Sequence, residues 1–102
     1  MKKFLCTVAI AAAAFIANAQ MLTNAPVVSV KFGRALFLKN CAHCHGSDGH
    51  GDDGPDLHDL DWTDKEINDR IRKGKKGQMT SFAGKLKTTE IESIIAYLRT
   101  LK

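Results

Sequence analysis

The chain has 102 residues, of which 44% are hydrophobic and 25% are charged, with a formal net charge of +4 and three cysteines. A single domain of this size has a core of marginal stability, so a covalent or cofactor-based cross-link is expected. The few cysteines exclude a disulfide-rich scaffold, and the small net charge gives no reason to expect a nucleic-acid partner.

The first nineteen residues have the features of a secretory signal peptide. Two lysines precede an apolar run at residues 4–17, which is shorter than the roughly 20 residues that span a membrane. Small residues before Gln20 suit a signal peptidase. We therefore predict a signal peptide at 1–19 and a periplasmic domain at 20–102 that does not span the membrane; an uncleaved anchor is the alternative.

The residues from Ser29 to Asn40 predict the first helix, with Ser29 as its N-cap. Its apolar face would consist of Phe32, Leu36 and Phe37. Gly33 is unfavourable within a helix, by about 1 kcal/mol relative to alanine. We therefore expect another element to pass close to Gly33, although an incidental small residue is the alternative.

The sequence CAHCH follows this helix directly, and its spacing is that of a c-type haem attachment site. Cys41 and Cys44 can each form a thioether with one vinyl group of a porphyrin, and His45 can then ligate the iron. One covalent haem c per chain would also supply the missing cross-link. The alternatives are a redox disulfide, or a zinc site that also uses His50 and His58.

The next segment, residues 46–61, is dense in glycine, aspartate and proline, and we expect turns there rather than a long helix. A second helix should begin at Thr63, because Thr63 and Glu66 have the spacing of a capping box. It would end near Lys73, with Gly74 closing it in a left-handed conformation. Its buried side would be Ile67 and Ile71.

The last helix has the clearest periodicity, and Thr88 or Thr89 could cap it. Its apolar stripe consists of Ile91, Ile94, Ile95, Leu98 and Leu101. Tyr97 borders this stripe. Since no segment alternates like a strand, the predicted fold is all-α, with three main helices around one haem.

The second axial ligand of the iron is expected from the loop between the last two helices. Met79 lies far enough beyond His45 to reach the opposite face of the haem, and a thioether ligand raises the reduction potential relative to a second histidine. His58 is the competing candidate. His50 follows His45 too closely to cross the ring plane, and His43 is expected to be exposed.

These motifs together resemble a class I cytochrome c of the small bacterial monohaem type. GRALFLKNCAHCHG resembles the first helix and haem motif of that family, and GDDGPDL its proline loop. GQMTSF resembles the distal loop and EIESIIAYLRTL the last helix. The resemblance covers about residues 30–102.

The resemblance implies several residue roles. Gly33 would let the first and last helices cross closely against Tyr97, and the carbonyl group of Pro55 would accept a hydrogen bond from His45 Nδ1. The haem would be walled by Phe37, Leu57, Trp62, Ile71, Phe82 and Leu98. The Trp62 indole would donate to a haem propionate, or would be an ordinary core tryptophan.

One residue departs from the family pattern. Thr80 follows Met79 where many relatives have proline, so the loop lacks a conformational restraint. We expect the bond from Met79 to the iron to be more easily displaced, unless Thr80 or Ser81 compensates by hydrogen bonding.

The predicted function is that of a monomeric electron carrier, not an enzyme, whose iron cycles between ferrous and ferric states. An acidic redox partner would dock on a basic region at residues 70–87. Its basic residues are Arg70, Arg72, Lys73, Lys75, Lys76, Lys85 and Lys87. The alternatives are a haem subunit of an exported dehydrogenase or oxidase, and a five-coordinate haem sensor or peroxidase.

Overall fold

The structure, a computed structural model, describes residues 27–102. Within this part the helices are α1 (Val30–Asn40), α2 (Ala42–His45), α3 (Asp64–Lys73) and α4 (Thr88–Leu98). No strand occurs among the described residues, so the all-α prediction with three main helices is confirmed. None of these four helices has the length and apolar character that a membrane crossing requires. The predicted signal peptide lies outside the described residues.

Helix α1 begins after Ser29, whose hydroxyl accepts a hydrogen bond from the Phe32 amide at 3.0 Å, so the predicted N-cap is confirmed. Its buried residues are Gly33, Leu36 and Phe37. The placement of Phe32 on the apolar face is wrong, since Phe32 is 45% exposed. Gly33 faces the core, and Phe32, the residue before it, points about 100° away from Gly33 around the helix axis.

Helices α1 and α4 cross in close contact at Gly33, as predicted. A Cβ atom on Gly33 would overlap the main-chain carbonyl group of Ser93 in α4. The buried Ser93 hydroxyl accepts a hydrogen bond from the Ser29 amide at 3.1 Å. The rings of Phe37 and Tyr97 pack beside the crossing, tilted by 54° with centroids 5.2 Å apart. This crossing holds the start and the end of the described chain together.

Helix α3 begins with the predicted capping box. The Thr63 hydroxyl accepts from the Glu66 amide at 3.2 Å, and the Glu66 carboxylate accepts from the Thr63 amide at 2.7 Å. This bond from the Thr63 amide lowers the pKa of Glu66. Ile67 and Ile71 are buried, as predicted. Gly74 ends the helix with a positive φ of 63°, but its ψ of −161° lies outside the left-handed helical region that was expected.

Helix α4 is capped differently from the prediction. Its N-cap is Lys87, whose amide donates to the Glu90 carboxylate at 2.8 Å, so the prediction of Thr88 or Thr89 is wrong. The Thr88 hydroxyl instead accepts a hydrogen bond from Arg72 of α3 at 3.0 Å. This bond ties the beginning of α4 to the end of α3.

The core forms mainly along the apolar stripe of α4. Ile91, Ile94, Ile95 and Leu98 are buried, whereas Leu101 lies beyond the end of the helix and is half-buried. The segment at residues 46–61 contains turns and no helix, as predicted. Its Asp59 amide donates to the Leu101 carbonyl group at 3.0 Å. The turn-rich segment is thereby attached to the carboxyl-terminal end of the chain.

Candidate haem site

The CAHCH sequence forms one helical turn that continues almost directly from α1. Cys41 caps both helices, its amide donating to the Phe37 carbonyl group at 2.8 Å. The Cys44 and His45 amides both donate to the Cys41 carbonyl group, at 3.2 and 3.0 Å. Both thiols are free and half-buried. The helical turn therefore brings two thiols and an imidazole close together.

The environment of Cys41 disfavours redox chemistry as a free thiol. Burial, and secondarily the charge of the nearby Cys44 thiolate, raise the pKa of the Cys41 thiol to about 11. A thiol with this pKa stays protonated at neutral pH, and the thiolate is the nucleophile in disulfide exchange. Cys41 is therefore a poor nucleophile for disulfide exchange.

His45 is held in one orientation by the proline loop. The side chain is only 9% exposed, and its Nδ1 lies 2.8 Å from the Pro55 carbonyl oxygen. Since a carbonyl oxygen can only accept, Nδ1 carries a proton, and in the neutral imidazole Nε2 has the lone pair. Nε2 makes no hydrogen bond with residues 27–102. Since no side-chain nitrogen or oxygen in this range is both fully buried and unpaired, Nε2 is not fully buried. Nε2 is therefore available as a metal ligand.

The backbone of the proline loop closes tightly around His45. The Gly51 amide donates to the His45 carbonyl group at 2.8 Å, and the Gly54 amide donates to the Cys44 carbonyl group at 2.6 Å. A Cβ atom on Gly54 would lie 3.1 Å from the His45 ring, closer than ordinary contact. Gly54 is a site residue that the sequence analysis missed, and its position directly before Pro55 was the available signal.

The loop that contains Met79 is anchored to the end of α3. Lys75 and Met79 exchange two backbone hydrogen bonds, at 2.7 and 2.9 Å. The Ser81 hydroxyl donates to the Arg72 carbonyl group at 2.5 Å, and the Phe82 amide donates to the Ile71 carbonyl group at 3.0 Å. Met79 is half-buried and packs against the hydrophobic core. The loop conformation thus brings the thioether side chain onto the core.

The residues expected to wall the haem divide into three groups. Phe37, Ile71 and Leu98 are buried in the core, whereas Leu57 and Phe82 are half-buried and pack against it. Trp62 is 43% exposed, and the Arg70 guanidinium lies over its ring at 5.3 Å from the centroid. The alternative of Trp62 as a core residue is therefore wrong, and its role at a haem stays a prediction.

The other histidines occupy two different places. His43 is exposed on α2, as expected. His50 and His58 come together with Asp56 in the turn-rich segment. Within residues 27–102 this is the one group of three potential metal ligands, and it contains no cysteine. The structure therefore does not assemble the alternative zinc site made from cysteines and these two histidines.

The basic residues between positions 70 and 87 form no ion pair within residues 27–102. Arg70 lies over Trp62, and Arg72 donates to Asn68 at 2.7 Å and to Thr88. The five lysines of this region are exposed. The described ion pairs of lysine and arginine involve Lys65 and Arg99 instead. The charges of the basic region are therefore available to a partner.

The site residues fit a covalently attached haem. Two free thiols three positions apart, at Cys41 and Cys44, are followed directly by the imidazole of His45, which has an available Nε2. Cys41, Met79 and Phe82 all pack against the same apolar core. These are the groups that thioether attachment, axial ligation and an apolar pocket require.

The family model described as cytochrome C oxidase, cbb3-type, subunit III matches residues 29–98. A curated relative is the Cbb3-type cytochrome c oxidase subunit CcoP of Rubrivivax gelatinosus, which is 35% identical over 79 residues. The match covers 72% of this chain and 26% of that subunit. The chain thus spans about a quarter of the length of this relative.

Two solved structures are similar to the fold. Cytochrome cL from Hyphomicrobium denitrificans has a TM-score of 0.64 and 32% sequence identity, over 72% of this chain and 50% of that chain. Cytochrome c6 from the diatom Phaeodactylum tricornutum has a TM-score of 0.62 and 32% identity, over 71% of this chain and 92% of that chain. The expected class I cytochrome c fold is confirmed. The chain therefore belongs to the cbb3-type cytochrome c oxidase subunit III family of class I cytochrome c domains, and its cofactor is covalent haem c.

Proposed function

We propose that the protein is an exported monohaem cytochrome c that carries electrons between redox partners. Cys41 and Cys44 would attach the haem, and His45 and Met79 would be the axial ligands. The haem supplies one-electron chemistry through its ferrous and ferric states when bound. The observation that carries this proposal is the 2.8 Å hydrogen bond between His45 Nδ1 and the Pro55 carbonyl oxygen. It fixes the imidazole one residue after Cys44 with Nε2 available for iron.

The chain's own residues would hold the site rigid and dry. Pro55 orients His45, and the hydrogen bond increases the basicity of the imidazole. Ser81 and Phe82 hold the Met79 loop against α3. The proposed wall consists of Phe37, Leu57, Trp62, Ile71, Phe82 and Leu98. These side chains would exclude water from the iron, which favours electron transfer over ligand exchange.

The assignment of Met79 is tested by its replacement with alanine. We expect Met79→Ala to lose the methionine–Fe(III) charge-transfer band in the visible spectrum, while His58→Ala, which removes the competing ligand, keeps it. An unchanged spectrum in Met79→Ala would mean that methionine is not a ligand. A five-coordinate spectrum in the unmodified protein would favour the sensor or peroxidase alternative.

Export would place the haem domain in the periplasm. We assign residues 1–19 as a cleaved signal peptide and residues 20–102 as the cytochrome domain, on the basis of the apolar run and the small residues before Gln20. The mass of the purified protein distinguishes cleavage before Gln20 from retention of an anchor.

The basic region at residues 70–87 would steer the protein toward an acidic redox partner. Its cations form no ion pair within residues 27–102, and electrostatic steering can raise association rates by about 10 to 10³-fold. We expect electron transfer with an acidic redox protein to slow as ionic strength rises. The charge reversal Lys75→Glu with Lys76→Glu should reduce this dependence, and a matched reversal on α1, Lys31→Glu with Lys39→Glu, should not. Equal salt dependence in all three proteins would remove the steering role.

A second candidate function is that of a haem subunit in an exported oxidase or dehydrogenase. The relatives that favour it are named as subunits of cbb3-type oxidases. Size-exclusion chromatography with light scattering, on protein from native periplasm and membranes, separates the two functions. A free carrier would elute at the mass of one chain, whereas a subunit would elute with a larger oxidase or dehydrogenase.

A further inference from the structure

Three side chains of types that can ligate a metal converge in the turn-rich segment, outside the proposed haem site. His50, Asp56 and His58 each offer one ligand atom within 4.8 Å of the other two. Nδ1 of His58 lies 2.7 Å from one Asp56 carboxylate oxygen, and Nδ1 of His50 lies 3.7 Å from the other. The two imidazole rings stack with centroids 3.7 Å apart and an angle of 6° between their planes. One carboxylate is therefore flanked by two imidazoles.

The backbone of this segment brings the three side chains together. The Leu57 amide donates to the Gly49 carbonyl group at 2.8 Å, which places His50 beside His58. The His58 amide donates to the Asp56 carboxylate at 2.8 Å, and the His50 amide donates to Asp48 at 3.0 Å. These backbone hydrogen bonds thus hold the three side chains close to one another.

We infer that His50, Asp56 and His58 form a binding site for a divalent transition-metal ion of the Zn²⁺ or Cu²⁺ class. Imidazole and carboxylate are ligands that these ions accept. Bonds of about 2.0–2.1 Å in a tetrahedral arrangement place neighbouring ligand atoms about 3.3 Å apart. The two observed nitrogen–oxygen distances of 2.7 and 3.7 Å lie on either side of this value. Because the two rings are stacked, the His50 ring would turn out of the stack to direct its nitrogen at the ion, with water as the fourth ligand.

The exposure of the three residues makes both entry and rearrangement feasible. The His50 side chain is 61% exposed and Asp56 is also exposed, so an ion can reach them from solvent and the His50 ring can turn toward it. The His58 side chain is mostly covered, with an exposed fraction of 14%. His58 would be the fixed ligand and His50 the adjustable one. The site uses neither Cys41 nor Cys44, so it can coexist with the haem.

The test is a calorimetric titration of Zn²⁺ into the haem-loaded protein without an affinity tag. Haem loading is required because free thiols at Cys41 and Cys44 would themselves bind zinc. The variants are His50→Ala, His58→Ala and, as the matched control, His43→Ala, which removes an exposed histidine outside the cluster. The visible spectrum of each variant verifies that the haem domain is intact.

We expect one Zn²⁺ per unmodified protein and per His43→Ala. Both cluster variants should bind more than about tenfold more weakly, since loss of even an indirect partner of a metal ligand costs 10–100-fold in affinity. His50→Ala keeps the test decisive if His58→Ala does not fold, because the His50 side chain is largely exposed. Absence of zinc binding, or unchanged binding in His50→Ala, would overturn the inference. Equal loss in His43→Ala would also overturn it, because it would indicate adventitious binding to any surface imidazole.

Discussion

Replacing Gly33 with alanine perturbs the crossing of α1 and α4 at its closest point. The added methyl group would overlap the Ser93 carbonyl group and lie 3.0 Å from the Ile94 amide nitrogen. Both neighbours are backbone atoms of buried residues, so the two helices must move apart. Separation would also strain the hydrogen bond from Ser29 to Ser93 and the packing of Phe37 on Tyr97.

The expected loss of stability exceeds the gain in helix propensity. Alanine gains about 1 kcal/mol over glycine within a helix. Overpacking costs about 1–3 kcal/mol, the hydrogen bond about 1 kcal/mol and the aromatic pair about 0.5–1.5 kcal/mol. The net destabilisation is therefore about 1.5–4.5 kcal/mol. For a domain of this size, that corresponds to a fall in Tm of at least about 6 °C.

The assay is thermal unfolding of the haem-loaded protein, followed by far-ultraviolet circular dichroism. Lys31→Ala is the control, because Lys31 is exposed on the same helix and its replacement should change stability by less than about 0.5 kcal/mol. A Tm for Gly33→Ala equal to that of the unmodified protein, or above it, would refute the close-crossing argument.

Three further predictions follow from hydrogen bonds and from one sequence departure. Thr63→Ala should lower the free energy of unfolding in urea by about 1 kcal/mol; an unchanged midpoint would contradict the capping box. The Thr63 amide lowers the pKa of Glu66, so the bond stabilises the fold above the unfolded pKa and is lost as pH falls through the folded pKa. The stability difference between the unmodified protein and Glu66→Gln should therefore be present at neutral pH and vanish in strong acid. Because position 80 is threonine rather than proline, the methionine–Fe(III) band should disappear in mild alkali. The band should be lost at a lower pH in Ser81→Ala than in Ser47→Ala, a control at an exposed serine. If the band stays constant into alkali in both variants, Met79 is not weakly held.

Features determined by neighbouring residues were predictable from the sequence. The capping box of Thr63 and Glu66 involves residues three positions apart, and the structure contains both of its hydrogen bonds. The close contact at Gly33 was predicted because glycine lowers the stability of a helix, and a close helix crossing can offset that loss. The haem motif and its order relative to the other motifs indicated the class I fold. In each case the physical requirement is visible in a short stretch of sequence.

Features determined by distant residues were not predictable in this way. Thr88 is a suitable N-cap by type, but its hydroxyl is occupied by Arg72, 16 residues earlier in the chain. Phe32 is apolar, but the side of α1 that is buried is the side on which Gly33 contacts α4. Asp56 approaches both His50 and His58 only because the turns of the loop fold back on themselves. Each of these outcomes depends on a tertiary contact that periodicity and residue type do not encode.

The most direct test of the account is the intact mass and visible spectrum of the protein produced in a host that exports and matures c-type cytochromes. The account predicts the mass of the chain without residues 1–19 plus one covalent haem, with a six-coordinate, low-spin spectrum. Colourless protein of unmodified mass, recovered from a host that matures other c-type cytochromes, would contradict it.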